Sequence, residues 1–224
     1  MAIKPILFNA EMVKAILDGR KTQTRRIIKG IPLHDPYFEV YDGVPLCCDD
    51  NGLWHQLREF SHIQKDDILW VRETWCKWWM PHGEWHYCYK ASERNGNMRP
   101  TGPEYDDAWE TIPWKPSIHM PKEAARLFLR VTDIRAERLH DMTDRDAEKE
   151  GIGNLYLEDV GFGDKDYGCI SYVDSKGYIG LQVEQFAHLW DSTIKKDKIH
   201  RYGWEANPWV WVIEFEQTEQ KTPF

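Results

Sequence analysis

The chain has 224 residues, is 42% hydrophobic with 12 tryptophans, and carries a formal charge of -8. That size and apolar content bury a core and exclude a disordered chain, while the acidic balance excludes a protein that coats long nucleic acid through a global basic surface. No apolar run reaches the length of a membrane span, the start lacks the apolar core of a signal peptide, and five cysteines (Cys47, Cys48, Cys76, Cys88, Cys169) form no regular framework, so a cytoplasmic protein with reduced thiols is expected.

Pro5-Ile6-Leu7-Phe8 predicts a short buried strand. Glu11 to Asp18 carries Met12, Val13, Ala15, Ile16 and Leu17 at helical spacing, with Asn9 to cap the helix and Gly19 to end it. The chain then enters Gly19-Arg20-Lys21-Thr22-Gln23-Thr24-Arg25-Arg26, two threonines and four cations in eight residues. On a plain strand Thr22, Thr24 and Arg26 share one face and Lys21, Gln23 and Arg25 the other, so Lys21 meets Thr24 only if the chain still turns at Lys21. From Lys14 to Lys29 six cations stand against one anion, Asp18, a local charge suited to a single nucleotide or a short strand end.

Residues 32 to 60, rich in proline and glycine, predict a hairpin insertion. Ile68 to Trp75 predicts one strand, with Glu73 and Trp75 on the same side and able to reach a ligand together. Trp85 to Tyr89 predicts another strand. The prolines of Trp114 to Pro121 predict an extended path, along which Ser117 and His119 share a face and Lys115 adds charge. Ala125 to Arg138 alternates as a long central strand. Thr143 to Asp146 resembles a capping box, opening a short helix that ends in Glu150 with Gly151 as its C′ residue. Residues 153 to 180 predict an irregular loop or hairpin; Val183 to Ile194 predicts an amphipathic helix, Trp209 to Glu216 a closing strand, and the tail beyond it is polar. Trp70, Trp190, Trp209 and Trp211 are expected in the core, whereas Trp75, Trp78, Trp79 and Trp114 lie in or beside cleft segments, where aromatic faces stack on bases.

A helix, then Gly-Arg-Lys-Thr-x-Thr at Gly19 to Thr24, then the strand after Asp66 and the segment Leu139 to Ile152, resembles the ASCH domain of the PUA-like superfamily. Members of that group include a bacterial N4-acetylcytidine amidohydrolase. The resemblance implies an α+β fold, a small PUA-like β-barrel with capping helices, as a single domain over 1–216 with insertions near 31–62, 76–115 and 153–182. It also implies a catalytic lysine, threonine and glutamate at Lys21, Thr24 and Glu150. Amide hydrolysis needs a nucleophile or activated water, a base, and an acid for the leaving amine. Thr24 would supply the hydroxyl, Lys21 the base if burial, Arg20 and Arg25 lower its pKa, and Glu150 would hold or protonate the leaving group. Arg20, Thr22, Arg25, Arg26, Glu73, Trp75, Lys115, Ser117 and His119 are the expected substrate-binding residues.

The expected activity is removal of an N4-acyl group from cytidine-type substrates, with a nucleoside or short single-stranded nucleic acid as partner. The alternatives are a non-catalytic RNA or modified-base binding module and a ribonuclease. No cofactor or metal is expected: Cys76, His82, His86 and Cys88 have ligand types suited to zinc, but their spacing matches no common zinc motif.

Overall fold

A computed structural model describes residues 1–29, 37–42, 44–48, 51–79, 85–92, 113–152, 172–174, 177–179 and 181–218. The strands are β1 (Ile3–Leu7), β2 (Gln23–Ile27), β3 (Tyr37–Tyr41), β4 (Val44–Cys48), β5 (Trp54–Gln56), β6 (Ile68–Arg72), β7 (Trp75–Trp79), β8 (Trp85–Tyr89), β9 (Phe128–Arg138), β10 (Tyr172–Asp174), β11 (Gly177–Ile179) and β12 (Trp209–Gln217). The helices are α1 (Ala10–Leu17), α2 (Asp144–Lys149), α3 (Leu181–Thr193) and α4 (Ile199–Tyr202). The fold is mixed α+β, and the chain divides into two compact units, each discontinuous in sequence.

The first unit comprises Met1–Gly19, Asp66–Val131 and Glu216–Phe224. Here β1 runs parallel to β6, and β6 pairs antiparallel with the start of β9, Leu69 opposite Leu129. The Asn9 side chain accepts from Met12 N at 2.8 Å and so caps α1. Gly19, at φ 75, takes the left-handed conformation that ends the helix. Val13, Ala15 and Ile16 bury the apolar face that the helical spacing predicts. The antiparallel pair β7 with β8 adjoins a cluster of Trp75, Tyr89, Met120 and Ala124.

The second unit comprises Arg20–Lys65 and Thr132–Phe215. In it β12 pairs antiparallel with β2, placing Thr24 opposite Ile213 and Arg25 opposite Val212. Phe186 and Trp190 of α3 pack with Met142, Ala147, Val210 and Val212 as its core. The predicted hairpin insertion is a three-stranded antiparallel sheet, β3-β4-β5, and β10 pairs with β11.

Several expectations change. Among the described residues β1 pairs only with β6 and β2 only with β12, so the sheets are open where a closed barrel was expected. The run Ile68 to Trp75 divides at Glu73 and Thr74: Glu73 N donates to Met120 Sδ at 3.2 Å instead of continuing the ladder. Trp114 to Pro121 is not fully extended, since Ser117–His119 forms a 3-10 turn. Trp190 and Trp211 are core residues, but Trp70 and Trp209 are half-buried beneath the Arg72 and Arg138 guanidiniums. The Gly96 to Pro103 cluster, residues 153–171 and the end of the tail lie outside the described residues. None of the described helices is long and apolar enough to cross a membrane.

Candidate active site

The site in the second unit starts from a helix end. Thr143 Oγ1 accepts from Asp146 N at 3.2 Å, and Asp146 Oδ2 accepts from Thr143 N at 3.1 Å, completing a capping box that opens α2. The helix stops in a Schellman motif: Gly151, at φ 91, donates to the Glu148 carbonyl and Ile152 to the Ala147 carbonyl. Glu150 is therefore held as the C-cap, with its carboxylate buried.

Three consecutive residues grip that end. Arg20 NH1 donates to the Gly151 carbonyl at 2.8 Å, Lys21 Nζ to the Glu150 carbonyl at 2.8 Å, and Thr22 N to the Lys149 carbonyl at 2.9 Å. These are carbonyls that the helix itself leaves unpaired. Lys21 Nζ also donates to Glu150 Oε2 at 2.6 Å, while Arg25 NH1 meets Glu150 Oε1 at 3.2 Å. Arg25 NH2 donates to Glu137 Oε1 at 2.5 Å. Gln23, on the same strand face as Arg25, donates to Asp146 Oδ1 at 3.3 Å.

On the other face of β2, Arg26 NH1 donates to Thr24 Oγ1 at 2.6 Å and to the Arg25 carbonyl at 2.8 Å. Thr24 has no exposed surface and Lys21 keeps 2%. Arg26 alone among Lys21, Thr24, Arg25, Arg26 and Glu150 is only half-buried.

Burial pulls the Lys21 ammonium below its usual range; Glu150 opposes that pull, and the Arg26 and Arg25 charges add to it. The second cation that lowers Lys21 is thus Arg26 and not the expected Arg20, whose guanidinium is spent on the Gly151 carbonyl. Although Arg26 as a residue is half-buried, its guanidinium lies inside, and that burial lowers it against the raising effect of Glu150. A proton can pass between Lys21 Nζ and Glu150 Oε2 along one short hydrogen bond, which makes the pair a donor and an acceptor in turn. By donating to Thr24, the Arg26 guanidinium leaves the Thr24 proton to be given elsewhere and favours an alkoxide at that oxygen.

Of the expected catalytic residues, then, Lys21 and Glu150 touch, and Thr24 is tied to Arg26. Thr22 takes part through its backbone, its carbonyl accepting from Phe215 N. Glu137 was not singled out in the sequence, Asp146 only as a capping residue and Gln23 only by its strand face; the signal was the period-2 face that Gln23 shares with Arg25 and the alternation that puts Arg135 and Glu137 on one face of β9.

The five remaining expected residues belong to the first unit. Glu73, 1% exposed, is not poised to reach a ligand: it forms a bidentate pair with Arg126, both contacts 2.8 Å. Arg126 also donates to Ser92 Oγ and lies over the Tyr89 ring at 4.1 Å. Trp75, 6% exposed, is core rather than cleft lining, with the Lys115 ammonium 5.0 Å from its ring. Ser117 is half-buried and His119 exposed on their 3-10 turn. Trp79 is exposed against Trp85; Trp114 is half-buried against Cys76 and Cys88; the Trp78 side chain and His82 lie outside the described residues. No group of three metal-ligating side chains occurs among the described residues.

No family model and no curated protein matches the chain. A solved structure of the hypothetical protein PH0355 is similar at 14% identity over 97% of this chain and 100% of that one, with a TM-score of 0.35. A likeness at that score carries no argument about fold or chemistry.

Proposed function

We propose that the chain is an ASCH-type protein of the PUA-like superfamily, cytoplasmic, acting as an amidohydrolase that removes an N4-acyl group from cytidine-type nucleosides. The observation that carries this reading is the buried Lys21–Glu150 contact at 2.6 Å, with Lys21 lowered in pKa by burial and by the Arg26 and Arg25 charges, and Arg26 in turn donating to Thr24. Lysine acts as a base only when it is partly neutral, and burial with two flanking guanidiniums pushes it that way.

In the proposed reaction Lys21 takes the Thr24 proton, and the Thr24 oxygen forms a bond to the acyl carbon. The Arg26 guanidinium turns from the hydroxyl to the oxygen that gains negative charge. Glu150, protonated through Lys21, gives its proton to the N4 nitrogen as the carbon–nitrogen bond breaks. Water then adds to the acyl-threonine, losing a proton to the same pair, and releases the free acid and Thr24. Lys21 and Arg25 already meet carboxylates, which weighs against a ribonuclease in which they hold phosphate.

The test is release of cytidine from N4-acetylcytidine by the folded protein and by Lys21→Met, Thr24→Ala and Glu150→Gln. Each substitution is expected to lower kcat by about 100-fold or more. Turnover by Thr24→Ala at the wild-type rate would refute threonine as nucleophile, and absence of turnover by the wild type would refute the activity.

A further inference from the structure

Cys76 in β7 and Cys88 in β8 stand directly opposite each other in the antiparallel register. Trp75 exchanges both its backbone hydrogen bonds with Lys115, at 3.2 and 2.8 Å, and Lys90 N donates to the Thr74 carbonyl at 2.9 Å. The polar groups of Trp75 therefore face away from β8, and by alternation those of Cys76 face toward it. That makes Cys76 and Cys88 a hydrogen-bonded pair, whose Cα atoms stand about 5.5 Å apart, near the commonest separation for a disulfide. Both side chains lie on one face, both are free thiols, and they keep only 1% and 4% of their surface exposed.

We propose that Cys76 and Cys88 are a reversible redox dithiol, closed to a cross-strand disulfide by a peroxide and reopened by a small-molecule thiol. The inference stands apart from the amidohydrolase reading. Facing each other across the register, the two thiols shift one another, Cys76 up and Cys88 down, so Cys88 is the sulfur that reacts first. The Cys88 thiolate attacks one peroxide oxygen; the oxygen–oxygen bond breaks, hydroxide leaves, and Cys88 becomes a sulfenic acid. Cys76, giving up its proton, attacks that sulfur; the sulfur–sulfur bond forms, the sulfur–oxygen bond breaks, and a second hydroxide leaves. With the two thiol protons the products are one disulfide and two waters, the two sulfurs having lost two electrons to the peroxide. In reverse, an external thiolate attacks one sulfur to give a mixed disulfide, and a second thiol releases the reduced pair.

Access follows from the architecture. Beyond each other, β7 and β8 have the Trp75–Lys115 bridge as their backbone pairing among the described residues, and a two-stranded sheet with so little ladder opens locally and admits a small oxidant to buried groups. Once closed, the bridge fixes the register beside the Trp75 and Tyr89 cluster. It also stiffens the strand pair that carries exposed Trp79 and Trp85.

The experiment treats the full-length protein with hydrogen peroxide, alkylates the remaining thiols, and maps peptides by mass spectrometry without reduction. The expected result is an intact mass lower by two hydrogens before alkylation, a linked peptide pair joining Cys76 to Cys88 after it, and full reversal by dithiothreitol. Cys76→Ser should instead leave Cys88 as a sulfenic acid trapped by dimedone, and Cys88→Ser should give neither product. A bridge that involves Cys47, Cys48 or Cys169, loss of two hydrogens in either serine variant, or no change in the wild type would overturn the proposal. Peptide mapping of the wild type decides alone if a serine variant fails to fold.

Discussion

Replacing Glu150 by glutamine keeps the shape of the side chain and removes the charge that both Lys21 and Arg25 meet. Removing one partner of a buried ion pair costs about 3–5 kcal/mol, because the other charge stays desolvated. Two features place this case at the lower end. Arg25 keeps Glu137 at 2.5 Å, and Lys21 keeps the Glu150 carbonyl at 2.8 Å. The expectation is therefore about 3 kcal/mol, which at a slope of about 2–3 kcal/mol per molar urea lowers the unfolding midpoint by roughly 1 M.

The pH dependence sharpens this prediction. Burial holds Lys21 below its ordinary value of 10.5, and Glu150 is what raises it against that pull. The variant's Lys21 therefore falls further. Between the variant's folded value and the wild type's, only the variant has an unfolded chain that binds more protons than the folded one, so its deficit narrows as pH rises across that interval; from there to 10.5 both proteins gain alike and the gap stays level. Urea titrations of the two proteins at several pH values measure this directly. Equal midpoints at neutral pH, or a deficit that widens in alkali, would refute the account of Lys21 as a buried charge neutralised by Glu150. The pair Lys21→Met with Glu150→Leu should recover most of the loss, since neither charge then remains to be buried.

Two further outcomes are expected. Thr143→Ala removes the α2 cap and should cost about 1 kcal/mol by chemical denaturation. Burial raises the Asp146 carboxyl, but hydrogen bonds from Thr143, the Arg25 charge and a hydrogen bond from Gln23 together outweigh it and hold the group below its ordinary 3.8. This stability is present above that pH and disappears as pH falls through the folded value, so the difference between Thr143→Ala and wild type should shrink in acid. Burial, countered by Arg126 and reinforced by Glu73, pushes the Tyr89 phenol up to about 12. Ultraviolet titration should show one tyrosine ionising near that pH, a step absent in Tyr89→Phe. The stability that its neutral form gives is complete below the ordinary value of 10.0 and is lost as pH rises through about 12.

What was legible in the sequence was local. Asn9, Gly19, the Thr143 to Asp146 box and Gly151 each specify a helix end through contacts within a few residues, and the structure builds all of them. The positions of Lys21 and Glu150 could be singled out, but their contact spans 129 residues, and no periodicity reports such a pairing. Glu73 looked available because its strand alternation was correct; its partner Arg126 lies 53 residues away. Trp75 was misplaced for the same reason, since Met120 and Ala124, which cover it, follow a long intervening stretch. Arg26 was counted among substrate contacts, and its role as the donor to Thr24 depends on a side-chain path that alternation leaves open.

Arg20, Lys21 and Thr22 bind the carbonyls of Gly151, Glu150 and Lys149 one for one, in opposite order along the chain. Such a clasp works like a zip fastener: what matters most is that the teeth stay in phase. A change of residue at Arg20 loses one tooth, whereas inserting or deleting a single residue between Gly19 and Gln23 displaces every one after it and draws the lysine off its carboxylate. Length variation should therefore be purged from this segment far more strongly than substitution, and a scan of one-residue insertions should find it the least forgiving loop in the protein.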